Sequence, residues 1–324
     1  MLFLTYITRP SIPQTTHYFT TPNYYDFSHS SNPITTYGDF LPPPYCQTNK
    51  CPLFVFLHGS LNWREHHNKY IELLHRYNIS VFKLYPFDSR NVSTTKGNQT
   101  QVTHQQMISD AYSGVKYLTS TYPNLIDTNK LAICGTSIGG GTALYSAWNP
   151  TLLKQLYNTT YEFALHIALY PPCFVYPTEE SNIWTNNTVI IMIGTDDQWT
   201  KASACTKLIS RIYNSTRHEV VNKKLYLYNN EHHSFDAYNK LTPLNDTYDF
   251  SNCEYTIALD GTTYYDEGSQ SIPLNTPSNR KLTFDLCANK QNIVTGYNSH
   301  ILNKYAMNNF EIELISALRP ELLY

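Results

Sequence analysis

The feature that most constrains this chain is a cluster of glycines around one serine. Gly135, Gly139, Gly140 and Gly141 flank Ser137, although the chain of 324 residues contains only 12 glycines. An apolar, strand-like run precedes the serine and small residues typical of a helix start follow it, so the pattern predicts a sharp strand-to-helix turn. Such a turn strains its central residue and leaves no room for side chains on either side. The free N–H groups and the positive end of the new helix would then point at the serine oxygen.

This G-x-S-x-G arrangement is typical of a nucleophile elbow, which presents a serine for attack on a carbonyl carbon. The serine needs a histidine to remove its proton, and the histidine needs a carboxylate to orient it. In a parallel α/β hydrolase these partners follow later strands in the order serine, acid, histidine. The chain supplies both in that order.

The acid candidates follow a predicted strand at residues 188–193. Asp196 and Asp197 come directly after this strand, and the local sequence does not distinguish them. One of the two could instead cap the helix that we predict to follow.

The histidine candidates, His232 and His233, follow a predicted strand at residues 224–228 and are again not distinguished locally. A double histidine could instead belong to a metal site. No third ligand stands at a motif-like spacing, so we predict no metal.

Two backbone N–H groups must stabilise the oxyanion of the tetrahedral intermediate. We expect one from Ile138, directly after the serine, and the other from the loop after a predicted strand at residues 53–57. In that loop the amides of Ser60 and Leu61 are both candidates. His58 opens the loop, and we interpret its ring as a structural lock rather than a catalytic group.

Strand and helix patterns alternate from residue 52 onward, which predicts an α/β fold with a mostly parallel sheet and helices on both faces. Before it, residues 1–50 form an extension whose alternating pieces predict an antiparallel edge hairpin. We predict a core over 51–240, completed by a C-terminal helix within 299–324. The polar segment 241–298 is predicted to be an insertion with little helix or strand of its own.

Composition restricts the partners of the chain. A net charge of −2 and 15% charged residues argue against a nucleic-acid binder, which would carry a basic stripe. No apolar run reaches the roughly 18 residues that span a bilayer. The apolar start at residues 1–7 has no basic region, so there is no clear signal peptide.

The seven cysteines contain no C-x-x-C pair, which argues against a zinc ribbon or a thioredoxin-type site. If they pair as neighbours in order, a periplasmic or secreted location follows; if they stay reduced, a cytoplasmic one does. The hypothesis leaves Cys134 as a free thiol and joins the others as Cys46–Cys51, Cys173–Cys205 and Cys253–Cys287.

Seven short motifs follow one another along the chain: Phe54–Ser60, Pro86–Arg90, Ser109–Tyr112, Gly135–Gly140, Tyr170–Cys173, Gly194–Thr200 and His233–Asp236. Together they resemble the dienelactone hydrolase-like family of the α/β-hydrolase superfamily, over about residues 50–240 and the last helix. The resemblance implies the α/β-hydrolase fold, and it implies Asp197 as the acid and His233 as the base. Strict dienelactone hydrolases carry cysteine where this chain has Ser137, which favours a general serine esterase.

Other residues are candidates for either a substrate contact or a structural role. Arg90 and Asp110 recur in the family, and the two could equally form an ion pair between a loop and the next helix. The remaining candidates are His58, Trp63 and Trp199.

Together these expectations describe a serine hydrolase without a cofactor that cleaves small-molecule carboxylic esters through an acyl-enzyme. A serine peptidase or amidase of the same fold is the alternative in chemistry. A binding protein that has lost turnover is the alternative in class. The sequence indicates neither the oligomeric state nor the acyl and alcohol groups.

Overall fold

A computed structural model describes residues 15–214, 222–250, 252–267 and 270–323. The apolar start at residues 1–7 lies outside this range. Within it, a central sheet has eight strands. They are Thr15–Asp26 (β1), His29–Leu41 (β2), Cys51–Leu57 (β3), Ser80–Leu84 (β4), Ile126–Thr136 (β5), Leu165–Leu169 (β6), Thr188–Gly194 (β8) and Lys223–Tyr228 (β9), with the short β7 at Val175–Pro177 outside it.

The strand order in this sheet is β1-β2-β4-β3-β5-β6-β8-β9. β1 pairs with β2 and β2 with β4 in antiparallel fashion, whereas every later pair is parallel. This is the α/β-hydrolase fold, and the predicted antiparallel edge strands are confirmed. The middle strands β3, β6 and β8 consist almost entirely of buried residues, as expected for parallel strands covered on both faces.

Helices connect the strands and pack against the sheet. The longest predicted ones are confirmed, and the helix after residue 150 was not predicted. The helices are Asn68–Arg76 (α1), His104–Thr121 (α2), Ile138–Tyr145 (α3), Pro150–Tyr157 (α4), Ala202–Tyr213 (α5), Pro277–Cys287 (α6) and His300–Leu318 (α7). None of the helices in the described ranges is long and apolar enough to cross a membrane.

The expectation of little secondary structure in 241–298 is wrong. The segment contains α6 and a set of short strands: Thr242–Asp249 (β10), Tyr255–Ile257 (β11), Thr263–Glu267 (β12), Gln270–Pro273 (β13) and Asn289–Thr295 (β14). β10 pairs with β14, and β11 pairs in parallel with β7 of the core. These pairings join distant parts of the chain, so hydrophobic periodicity within the segment does not reveal them.

The predicted pairing of the cysteines is confirmed. Disulfides join Cys46 to Cys51, Cys173 to Cys205 and Cys253 to Cys287, and Cys134 is a buried free thiol in β5. The last of these bridges closes 241–298 on itself and joins the chain just before β11 to the end of α6. The second ties the chain after β6 to α5.

Candidate active site

Ser137 lies at the turn between β5 and α3. Its backbone has φ 54° and ψ −117°, a strained combination for a residue with a side chain. The glycines explain how the chain fits: a Cβ on Gly139 would stand 2.6 Å from the His58 carbonyl oxygen, and one on Gly140 equally close to the Leu169 oxygen. The sequence folds this way because only glycine lets α3 start so close to β3 and β6.

A chain of hydrogen bonds runs from this serine to a carboxylate. His233 Nε2 lies 3.0 Å from Ser137 Oγ, and His233 Nδ1 lies 2.8 Å from Asp197 Oδ2. His233 and Asp197 are both almost fully buried. With Nδ1 protonated towards the carboxylate, Nε2 is free to accept the serine proton.

The carboxylate of Asp197 is held on both oxygens. Its Oδ1 accepts the backbone N–H groups of Trp199 at 2.9 Å and Thr200 at 2.8 Å. The Thr200 hydroxyl lies 2.9 Å from Oδ2 and 3.1 Å from His233 Nδ1. Asp196, the competing candidate, is exposed, and among the described contacts its carboxylate accepts a hydrogen bond only from the neighbouring Thr195 hydroxyl.

The loop that carries His233 is fixed by buried acids that the sequence reasoning did not assign. The Asp236 carboxylate accepts the hydroxyls of Tyr70 at 2.8 Å and Tyr170 at 2.9 Å. Burial acts to raise the pKa of Asp236, but the nearby charges of His66 and Lys69 outweigh it and lower that pKa to about 2. The H-x-F-D motif therefore ends in an anchor for the histidine loop.

A second acid, Glu231, joins the same loop to the C-terminal part of the chain. Its carboxylate accepts the backbone N–H groups of Asn298 and Ser299, each at 2.8 Å, where α7 begins. The carbonyl of His233 accepts the N–H of Gly296 at 2.8 Å. The histidine loop is thus held from both sides.

The two regions expected to supply oxyanion donors lie next to the serine. Ile138 is the first residue of α3. A Cβ on Gly59 would stand 3.2 Å from the Ser137 Cβ, so the backbone of the loop after β3 approaches the serine directly. Ser60 and Leu61 follow in that loop, and the choice between their amides stays a prediction.

His58 and Trp63 pack near the loop after β3, on the side away from the cavities at the serine. The buried His58 ring bonds through Nδ1 to the Gly59 oxygen at 2.9 Å and meets the edge of Phe87. Burial lowers the pKa of His58 to about 4, so its ring is neutral at neutral pH. Trp63 donates its Nε1–H to the Leu84 oxygen at 2.9 Å. Neither residue lines the two cavities at the serine.

Arg90 also lies away from both cavities. Its guanidinium makes two bonds to Asp110, at 2.7 and 3.1 Å, and a third to the Pro86 oxygen. Both partners are nearly fully buried, and burial raises the pKa of Asp110 against the opposing effect of Arg90. The geometry matches the ion pair rather than the substrate contact.

Trp199, by contrast, reaches the serine region. Its ring lies 4.9 Å from the His233 ring, between centroids, and it lines the cavities on both sides of Ser137. His232, the other histidine candidate, takes no part in the hydrogen-bond chain of Ser137, His233 and Asp197. Its Nδ1 is buried with no partner in the described part of the chain. There, no group of three metal-ligating side chains is close enough to hold an ion.

Ser137 lies between two cavities. The first, which we call the Arg280 cavity, has a volume of about 840 Å3 with its open mouth included, and 241–298 supplies much of its wall. The second, the His66 groove, has about 990 Å3 and contains His233 as well as Ser137. The side chains that line the Arg280 cavity include Ile138, Pro172, Phe174, Phe250, Leu274 and Phe284.

No protein-family model matches the chain. No curated protein matches it either. In fold it is similar to a proposed dienelactone hydrolase of Klebsiella pneumoniae, with 13% identity and a TM-score of 0.49 over 68% of this chain and 89% of that one.

Two further solved structures are similar at the same level. An esterase of Pyrococcus furiosus has 17% identity and a TM-score of 0.49 over 69% of this chain and 83% of that one. An acylaminoacyl peptidase of Pyrococcus horikoshii has 11% identity and a TM-score of 0.46 over 66% of this chain and 38% of that one. The case for an activity therefore depends on the geometry of the site.

Proposed function

We propose that this chain, which has the α/β-hydrolase fold, is a serine hydrolase that cleaves carboxylic esters. One observation carries the proposal: the buried hydrogen-bond chain from Ser137 Oγ through His233 to Asp197, with contacts of 3.0 and 2.8 Å. A histidine in this position can take the serine proton, and a carboxylate behind it stabilises the imidazolium that forms.

In the first half of the reaction, Ser137 Oγ attacks the ester carbonyl carbon while His233 Nε2 takes the hydroxyl proton. The resulting oxyanion is held by the N–H of Ile138 and by an N–H of the loop at Ser60 or Leu61. When the tetrahedral intermediate collapses, the bond to the alcohol oxygen breaks. His233 returns the proton to that oxygen, and the acyl group remains on Ser137.

In the second half, water replaces the alcohol. His233 takes a proton from the water as it attacks the acyl-enzyme, a second tetrahedral intermediate forms, and the acid leaves as Ser137 regains its proton. Throughout, Asp197 orients the His233 ring, and two backbone N–H groups and the Thr200 hydroxyl hold its carboxylate in place.

The test is the Ser137→Ala variant, measured on short p-nitrophenyl esters and with a fluorophosphonate probe. The variant should retain the wild-type melting temperature and lose both turnover and labelling. Ser120→Ala, at an exposed position of α2, is the matched control and should retain both. Wild-type turnover in the Ser137→Ala variant would refute the mechanism, and an unlabelled wild-type Ser137 would favour a binding protein instead.

A serine peptidase would use the same groups, so the ester must be compared with the matched anilide. We expect the ester to be cleaved faster by several orders of magnitude. Comparable rates on both substrates would favour the peptidase or amidase.

The three disulfides favour an oxidising compartment, such as the periplasm or the exterior of the cell. We propose that the enzyme acts there. Protein isolated without reductant and then denatured should titrate as one thiol, that of Cys134. A titre of seven thiols would contradict this location.

A further inference from the structure

The Arg280 cavity contains polar atoms that the protein leaves without partners. Four of its lining side chains each have a buried nitrogen or oxygen that makes no hydrogen bond in the described part of the chain. Such atoms are rare in folded proteins because each costs the desolvation of a polar group. They are Gln99 Nε2, His104 Nε2, Thr263 Oγ1 and Arg280 Nε.

Arg280 is the most costly of the four because its guanidinium is always charged. It lies in the first turns of α6, within 241–298. Among the described ion pairs none includes it, and its side chain donates no hydrogen bond to the described residues. Arg280 is thus a half-buried cation with a buried, unused donor, and it lies in a cavity beside a nucleophile. These properties are expected of a group that binds an anion.

One acid, Asp26, acts on Arg280 through its charge, and one of its two carboxylate oxygens is engaged elsewhere. Its Oδ1 accepts the backbone N–H groups of Ser28 at 3.0 Å and His29 at 2.9 Å, and so holds the turn between β1 and β2. It acts on Arg280 through its charge without forming an ion pair with it. The other oxygen, Oδ2, is buried without a hydrogen bond in the described part of the chain, so Asp26 balances part of the Arg280 charge but does not occupy its donors.

The charges of the cavity fix the kind of anion. Arg280 is the one formally charged side chain among the described residues that line it. His104 is neutral, because burial and the charge of Arg280 lower its pKa to about 3. One positive charge matches a carboxylate, whereas a phosphate monoester carries nearly two negative charges at neutral pH.

The position of His233 fixes which part of the substrate enters the cavity. The alcohol oxygen takes its proton from His233, which lines the His66 groove and is not among the residues lining the Arg280 cavity. The alcohol therefore leaves through the groove, and the acyl chain extends from Ser137 into the Arg280 cavity.

We propose that Arg280 binds a carboxylate at the far end of the acyl group, so that the preferred substrates are half-esters of dicarboxylic acids. The proposal rests on the proposed function of Ser137. Thr263 and Gln99 offer further neutral donors to the same carboxylate, and the apolar walls take the methylene groups between the two ends. Arginine suits this role because its planar fork matches a carboxylate with two hydrogen bonds.

The test compares two esters that differ only in charge: the mono-p-nitrophenyl ester of glutaric acid and the methyl p-nitrophenyl diester of the same acid. The wild type should have the larger kcat/KM on the acid. In Arg280→Met, the ratio of the two kcat/KM values should fall by roughly tenfold to a hundredfold. Arg76→Met, at an exposed position of α1, is the matched control and should leave the ratio unchanged.

Two further variants keep the test decisive if Arg280→Met does not fold. Arg280→Lys keeps the charge but loses the planar guanidinium, and should retain only part of the preference for the acid over the diester. Thr263→Val removes one donor and should lower the ratio severalfold. An unchanged ratio in the folded variants, or a wild type that prefers the diester, would overturn the proposal. A third outcome would also overturn the proposal: Arg280→Met and Asp26→Asn both melt at a lower temperature, and neither changes the ratio of the two kcat/KM values. In that case Arg280 would serve only to balance the charge of Asp26.

A binding measurement separates this proposal from the failure of the catalytic one. Glutarate is titrated calorimetrically into Ser137→Ala and into Ser137→Ala/Arg280→Met. Binding that weakens by at least about tenfold in the double variant supports the subsite even if no ester is hydrolysed. Equal binding to both proteins, or none to either, would overturn it.

Discussion

The backbone of Gly194 lies against the carbonyl group of Glu231, so closely that a Cβ on Gly194 would overlap the Glu231 oxygen. The N–H of Asp196 donates to the same oxygen at 3.0 Å. Gly194 ends β8 just before Asp197, and Glu231 stands just before His233. The loops that carry the proposed acid and base are therefore fixed to each other by their backbones.

Replacing Gly194 with alanine should separate these two loops. We expect the free energy of unfolding to fall by about 1–3 kcal/mol, as for other overpacked sites, because the new methyl group has no space. We also expect kcat on a p-nitrophenyl ester to fall roughly tenfold to a hundredfold, since His233 would be displaced from Asp197. Gly97→Ala is the control, because a Cβ there meets nothing within 4 Å. A Gly194→Ala protein as stable as the wild type would contradict this packing.

The two adjacent aspartates should differ sharply. Asp197→Asn should lower kcat by about four orders of magnitude, the loss expected when the histidine is held in the wrong tautomer. Asp196→Asn should change kcat less than about twofold, because its side chain is exposed and does not contact His233. Steady-state kinetics on both variants, with their melting temperatures, decide between the two. Equal losses would mean that the acid is wrongly assigned.

Arg90 should matter to stability and not to turnover. Arg90→Met leaves the Asp110 carboxylate buried without its partner, and we expect a loss of about 3–5 kcal/mol in the free energy of unfolding. In the double variant Arg90→Met/Asp110→Leu part of that stability should return, since no buried charge remains. Urea denaturation measures both. A rise in KM without a loss of stability would instead place Arg90 at the substrate.

Buried histidines outside the proposed triad, among them His58 and His166, should make the protein sensitive to acid. Burial lowers the pKa of His58 to about 4 and that of His166 to about 3, below the ordinary value of 6.5. Between those values the unfolded chain binds protons that the folded chain does not. The contribution of these histidines to the free energy of unfolding is therefore fully present above about pH 6.5. It is lost as the pH drops towards the folded pKa values, by up to about 3 kcal/mol for His58 alone.

Urea denaturation at a series of pH values measures this loss. His166→Gln should flatten the decline between about pH 6.5 and 4.5, because one buried titrating ring is removed. His300→Gln, at an exposed position and in none of the described ion pairs, should leave the slope unchanged. A wild-type stability that does not vary over this range would contradict the neutral, buried state of both rings.

The sequence predicts the turn at Ser137 because its cause is local. Glycines at fixed offsets are required wherever a helix starts this close to two strands, so their spacing can be read without knowing the fold. The choice between Asp196 and Asp197 depends instead on burial and on the Thr200 hydroxyl. These are properties of the folded loop, and only the resemblance to a family selected Asp197.

The prediction fails in 241–298, where the causes are not local. β11 is three residues long and pairs with β7 from the core, far earlier in the chain. No window of sequence contains both partners. Arg280 was missed for the same reason: its role depends on α6 packing it beside residues such as His104, and nothing in its own surroundings along the chain indicates a cavity.

The strand pairing of β11 with β7 has a consequence for how this protein can change. It attaches 241–298 to the scaffold along a sheet edge, and the segment then lines the acyl side of the site, while Ser137, Asp197 and His233 all belong to residues 51–240. The chain before residue 241 supplies the proposed triad and most of the lining of the Arg280 cavity, whereas 241–298 supplies Arg280 itself. Under our proposal, a different sequence in 241–298 would change the acyl selectivity, but it would have to preserve the contact of Gly296 with the histidine loop for catalysis to persist.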